Sequence, residues 1–208
     1  MIDPQPVASP FTPLPRGPFG AVMADPPWSF KTWSQRGLET NRSIERRYKT
    51  LGTYDTLESL PVADVVAEDA ALLMWVVDSH LDQGMYLGRA WGFEYKTIAF
   101  IWVKTKLSDP AQPRMGMGYW TRKQAEVCLL FTRGRPARLD KGVPQVIMGP
   151  RREHSRKPDE AYHRARRLVG GPYLELFSRE ERAGWTTWGN ETGKFTPAPR
   201  ERRRVICP

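Results

Sequence analysis

Phe19-Gly20-Ala21-Val22-Met23-Ala24-Asp25-Pro26-Pro27-Trp28 runs a short apolar stretch straight into an acid, two prolines and an indole. Gly20 to Ala24 has the length and composition of a strand buried on both faces. The prolines end it, because each lacks an amide donor and has its φ fixed. Asp25 and the carbonyls of Asp25 and Pro26 are therefore presented rigidly, as acceptors without a competing N–H. Such a cradle suits a planar exocyclic amine, whose hydrogens need acceptors and whose delocalised lone pair is a poor nucleophile. Trp28 adds a face on which an extruded base can stack, worth about 1–3 kcal/mol. Taken alone, the tetrapeptide is also compatible with a rigid turn and a packed tryptophan.

Outward from this segment, apolar runs alternate with helical patterns. Ala71 to Val77, Thr97 to Val103, Val127 to Thr132, Gln145 to Met148 and Tyr173 to Phe177 read as further buried strands. Val62 to Glu68, Ser79 to Trp91 and Pro158 to Val169 read as helices. The last has Pro158, Asp159 and Glu160 in its first turn and Gly170-Gly171 at its end. The alternation predicts an α/β sheet with helices on both faces. Two long polar stretches, Ser29 to Leu51 and Lys104 to Lys123, fit neither pattern, and loops of that length in a compact domain are commonly functional. The first begins at the carboxyl end of a strand, where open α/β sheets bind ligands.

The organisation expected is a Pro-rich arm over 1–18, one catalytic domain over 19–195 and a basic tail over 196–208. The arm carries Pro4, Pro6, Pro10, Pro13, Pro15 and Pro18, and the tail Arg200, Arg202, Arg203 and Arg204. A chain of 208 residues, 40% hydrophobic, can bury one substantial core. Its formal net charge of +9 favours a polyanionic partner. Cys128 and Cys207 offer no disulfide framework or zinc spacing, and His80, His154 and His163 no ligand cluster, so no metal is expected. With no signal segment or apolar span, a soluble protein of the cytoplasm is expected, without a membrane partner.

The chain resembles the family named after the seventy-kilodalton subunit of the eukaryotic mRNA N6-adenosine methyltransferase, which also contains bacterial and phage DNA adenine methyltransferases. The segment Phe19 to Trp28 looks like its catalytic segment and Tyr48-Lys49-Thr50-Leu51 like the turn after it. Leu72 to Val76, Trp91-Gly92-Phe93, Ile101 to Lys104, Gly118-Tyr119-Trp120, Glu126 to Leu130, His154 to Glu160, Leu174 to Arg179 and Trp185 to Glu191 are similar to further landmarks, in family order. The resemblance implies a Rossmann-like methyltransferase sheet in permuted order, the catalytic Asp25, Pro26, Pro27 and Trp28 preceding the cofactor strand. It implies S-adenosyl-L-methionine as methyl donor. Lys157 would contact the donor's carboxylate, Glu175 and Arg179 would lie near its ribose, and Asn190 and Glu191 would contact ribose or adenine, with Asp25 at the transferred methyl. Eukaryotic relatives carry an aspartate–isoleucine pair before the first strand; here that stretch is Pro-rich, which shifts more of the contact to Asn190 and Glu191.

Because the donor supplies a reactive sulfonium, the protein's task is orientation, and a fixed near-attack geometry can supply roughly 7–11 kcal/mol. Asp25 is expected mainly to position the amine and to take the proton released. The expected partner is DNA, with a single-stranded or extruded adenine as target. RNA is the second reading, set lower because the RNA enzymes tend to carry zinc-finger or arginine-glycine extensions. A catalytically silent binding subunit is a third; such subunits lose the acid or the tryptophan, and this chain keeps both. Arg36, Arg42, Arg46, Arg47 and Lys49 on the first loop, with Arg114, Arg122 and Lys123 on the second, are the candidate phosphate contacts. No dedicated recognition domain is left over, so relaxed sequence specificity is expected. A monomer, a homodimer and a partner subunit all remain compatible.

Overall fold

The computed structural model describes residues 13–28, 57–118, 120–153 and 156–195. Seven strands form one sheet in the order β5-β3-β4-β2-β1-β6-β7: β1 Phe19–Ala24, β2 Val66–Val76, β3 Glu94–Thr105, β4 Ala125–Arg133, β5 Val146–Pro150, β6 Tyr173–Leu176 and β7 Thr186–Trp188. β4 runs antiparallel to β2 and β3, and the other pairings are parallel. The carboxyl ends of β1, β2, β3 and β6 therefore share one edge, together with the start of β4.

Period-two alternation distributes the central strands between two cores. Val22, Leu72, Met74 and Val76 face a cluster containing Leu87 of helix α1 (Leu81–Ala90) and Trp91 just after it. Met23, Leu73, Trp75, Trp102 and Cys128 face a second, with Ala161, Tyr162 and Ala165 of helix α2 (Asp159–Leu168). Helices thus cover both faces, which is why β1 and the second half of β2 read as unbroken apolar runs. α1 lies close to the sheet because Gly84 and Gly88 face it: a Cβ at Gly88 would stand 2.4 Å from the Phe131 ring.

Three expectations change. Val62 to Glu68 is not a helix; a 3-10 turn over Val62–Asp64 leads directly into β2, which starts at Val66. Ala67, Glu68 and Asp69 look helical in isolation, but Val66 is paired with Phe19, and the extended chain continues from there. β7, three residues long, is too short to show a period. The strand expected to reach Phe177 stops at Leu176, because Phe177 has φ +62. The stretch Lys104 to Lys123 also has a definite course: β3 runs on to Thr105, and the chain folds back on itself through Arg114 N–H to Lys104 O and Gly116 N–H to Lys123 O. Arg36, Arg42, Arg46, Arg47, Lys49 and the turn at 48–51 lie outside the described residues. Among the described residues no helix is long and apolar enough to cross a membrane.

Candidate active site

From β1 the chain crosses to β2 on one side, and it returns late to place β6 on the other. The strand order reverses between β1 and β6, and the crevice outside the carboxyl ends there is where an open α/β sheet accepts a ligand. Asp25 leaves β1 at that point, and Glu175 and Phe177 stand at the end of β6. A cleft at this edge is lined by Asp25, Arg156, Lys157, Tyr162, Glu175, Phe177, Arg179, Glu180 and Phe195. Four of the residues singled out in the sequence (Asp25, Lys157, Glu175 and Arg179) therefore meet in one place, although 150 positions separate the first from Glu175.

At the centre is Lys157, only 7% exposed in the turn before α2. Its Nζ lies 2.9 Å from Asp25 Oδ2 and 3.2 Å from Glu126 Oε2, and 5.6 Å from the centre of the Trp75 ring. Glu126, at the start of β4, also accepts from Lys104 Nζ at 2.5 Å. Burial by itself would raise the Glu126 carboxyl, but the two ammonium groups outweigh it and hold the carboxyl down at about 2. Burial would likewise lower Lys157, and Asp25 and Glu126 outweigh it, holding the ammonium above its ordinary value. The buried cation is thus committed to two carboxylates of its own chain.

Glu175 is also buried, and its two oxygens differ. Oε1 accepts a 2.6 Å hydrogen bond from the Tyr162 hydroxyl, whereas Oε2 has no hydrogen-bond partner among the described residues. Burial pushes this carboxyl up to about 7, against the lowering effects of the Tyr162 hydroxyl, the Arg182 charge and the nearby Ser178 hydroxyl, which itself donates to Glu180 O. Tyr162 is held in turn by the Arg182 guanidinium, 3.7 Å over its ring; Arg182 pairs with Asp159 and Glu180, and Glu180 pairs with Arg156.

Pro26 is buried, and Trp28 turns inward: it is 7% exposed, its indole N–H donates to Trp75 O at 3.0 Å, and its ring lies 5.9 Å from His80. The packed tryptophan is the state seen here; the indole clamps the end of the Asp-Pro-Pro turn onto β2. Phe177 is held in its left-handed conformation by an edge contact with Trp188, at 5.7 Å, and by Ser178 N–H donating to Trp188 O. A strained non-glycine residue at a strand end beside a cleft is a common companion of a binding site. Arg179 Nε is 3.6 Å from Glu191, which also pairs with Lys194; Asn190 is exposed next to it and does not line the cleft. On the other side of the edge, Arg114 and Arg122 are exposed, and Lys123 pairs with Asp78 at the end of β2.

Glu126 and Tyr162 went unnoticed as site residues in the sequence. Each stands in an ordinary amphipathic pattern, and the only hint was a charged residue opening the apolar run of β4.

The chain is 32% identical over 197 residues to the type II methyltransferase M.MunI of Mycoplasma sp, with 87% of this chain and 81% of that protein aligned. It is 32% identical over 179 residues to the human N(6)-adenosine-methyltransferase catalytic subunit METTL3, and 31% identical to the Drosophila melanogaster N(6)-adenosine-methyltransferase MT-A70-like protein. Those alignments cover 84% of this chain but only 28% and 27% of the two longer proteins. The sequence pattern of the MT-A70 family matches residues 19–191, nearly everything from β1 to the turn after β7, and the chain belongs to that methyltransferase family.

Proposed function

We propose that this methyltransferase transfers the methyl group of S-adenosyl-L-methionine to the N6 amino group of adenine in DNA, reading few neighbouring bases. The observation that carries the proposal is the placement of Asp25, at the strand-order reversal, on a buried Lys157 and in one cleft with the half-satisfied Glu175.

The cleft suits the donor. It offers a buried acceptor, Glu175 Oε2, that lacks a hydrogen-bond donor, as a ribose hydroxyl or an ammonium would provide. Arg179 and Arg156 supply positive charge for a carboxylate, and Phe177 and Phe195 supply apolar surface. Lys157, Glu175 and Arg179 would hold the donor, Lys157 sharing its charge with Asp25 and Glu126. When bound, the donor supplies an electrophilic methyl on a sulfonium. The protein then has to bring an amine nitrogen in line with it. Asp25, with Oδ2 on Lys157, is held in one orientation and offers its remaining lone pairs to the amine hydrogens; a charge-assisted hydrogen bond of this type is worth about 1.5–3 kcal/mol. The proton lost from nitrogen after transfer passes to Asp25 or to solvent. Against the expectation from the sequence, the Pro26 carbonyl already accepts the Trp28 N–H at 2.8 Å, so the Asp25 carbonyl, followed by a residue without an N–H, is the acceptor offered to the second amine hydrogen.

DNA is favoured over RNA by the near full-length match to a type II methyltransferase, against a match to about a quarter of the adenosine methyltransferases. Labelled-donor assays on adenine-containing DNA and RNA oligonucleotides test both points. Transfer to adenine N6 is expected on DNA, and Asp25→Ala should abolish it while the circular-dichroism spectrum is unchanged. Transfer by the alanine variant at the parent rate would overturn the assignment, and faster transfer to RNA would reverse the choice of substrate. Methylation of a plasmid confined to one long motif would refute the relaxed specificity.

A further inference from the structure

We propose that residues 106–118 and 120–122 form a tongue that grips the substrate strand, with Trp120 stacked on a base next to the target adenine and Arg114 and Arg122 on the adjoining phosphates. The inference rests on the nucleic-acid reading above and assigns that partner a second point of attachment, away from the reacting amine.

The tongue starts at the right edge. β3 runs parallel to β1 and β2, so Lys104 and Thr105 end on the same side of the sheet as Asp25. A continuous chain of ion pairs, Lys104 to Glu126 to Lys157 to Asp25, joins the root of the tongue to the catalytic acid. Its two legs are tied together by Lys106 N–H to Gln112 O, Arg114 N–H to Lys104 O and Gly116 N–H to Lys123 O. The return leg is anchored by Lys123 on Asp78, 3.3 Å away.

What this scaffold displays is unusual for a polar loop. Trp120 and Met117 are each 90% exposed, Leu107 83% and Met115 65%. Arg114 and Arg122 are interleaved with them and also exposed, while Asp109 is the one acid between positions 106 and 122 and caps its own turn through Ala111 N–H. Apolar and aromatic tips among cations match a polyanion with stacked rings; an apolar protein partner would leave the arginines without counter-charge. Stacking on any base also agrees with relaxed specificity, because every base has a π face. Trp28 is buried, which leaves Trp120 as the exposed indole at this edge among the described residues.

A cycle combining a side-chain change with a substrate change tests the contact. Oligonucleotides carrying one target adenine, with either normal or abasic flanking positions, are methylated by the parent, Trp120→Ala and Trp120→Phe. Trp120→Ala should raise KM on the normal oligonucleotide about 10- to 100-fold, as loss of one base–aromatic stack predicts, with kcat and S-adenosylhomocysteine affinity near parent values. Trp120→Phe should restore most of the affinity. Abasic flanks should impair the parent to a similar degree and should not impair Trp120→Ala further. Additive losses, or an unchanged KM for Trp120→Ala, would overturn the stacking. If the parent methylated neither oligonucleotide, the proposed function itself would fail, and this inference with it.

Discussion

Tyr162 donates its hydroxyl to one oxygen of Glu175 at 2.6 Å and leaves the other oxygen buried without a hydrogen-bond partner among the described residues. A carboxyl held at about 7 rather than near its ordinary 4.5 prefers to keep its proton in the folded protein. The folded state then binds more protons than the unfolded one between these two values, so this group's contribution to stability falls as pH rises from 4.5 to 7. The ionised, half-satisfied form costs on the order of 3 kcal/mol above that window. Glu175→Gln should therefore melt higher than the parent at pH 8, with the difference shrinking toward pH 5. The same variant should bind S-adenosylhomocysteine more weakly. Parallel pH profiles of melting temperature for the two proteins would show that Glu175 is not the strained group.

The Glu126 carboxyl behaves in the opposite sense. Held at about 2, it contributes stability above its ordinary pKa and loses it as pH falls from 4.5 toward 2. Lys157→Met, which takes the cation from Asp25 and leaves Glu126 with Lys104 alone, should lower the urea-unfolding free energy at pH 7 by about 3–5 kcal/mol. Combining it with Asp25→Asn should recover part of that loss, since the second change removes the carboxylate charge that Lys157 had balanced. A double variant less stable than Lys157→Met alone would disprove the electrostatic account.

Trp28 is an anchor as well as part of the proposed catalytic turn, and two substitutions separate the roles. Trp28→Ala should destabilise the fold by about 3–5 kcal/mol, as other large-to-small changes in cores do. Trp28→Phe keeps the ring and loses the hydrogen bond to Trp75 O, at a cost of about 1 kcal/mol. If transfer falls sharply in the phenylalanine variant while its melting temperature stays near that of the parent, the indole acts on substrate as well; equal losses in both measures would confine it to the turn.

Arg114 and Arg122 face solvent, whereas Lys123 is tied to Asp78. Replacing either arginine with glutamine should reduce the salt dependence of oligonucleotide binding, each lowering the slope of log K against log salt by about one. Lys123→Gln should change the slope less. Binding of the parent that is indifferent to salt between 50 and 200 mM, about the range over which counterion release is large, would remove the tongue from the interface.

The first strand, the sheet class and the point where that strand must stop were legible in the sequence, because the signals are local. An unbroken apolar run ending in Asp25-Pro26-Pro27 has few conformations open to it, and first-turn acids such as Asp159 and Glu160 favour a helix start within one turn. Strand β2 was misread at its start for the complementary reason: Val62 to Glu68 is helical by its own pattern, and only pairing with Phe19 makes it extended. The site's electrostatics were beyond any local signal. Lys157, Glu126 and Asp25 are far apart in the chain, and their charges interact only once α2, β4 and β1 share an edge from which water is largely excluded. The same burial leaves Glu175 half-satisfied and turns Trp28 inward. Sequence determined which groups are present and where the backbone must stop; the tertiary structure decided which charges are desolvated together, because burial and Coulomb energy depend on distance in space and not along the chain.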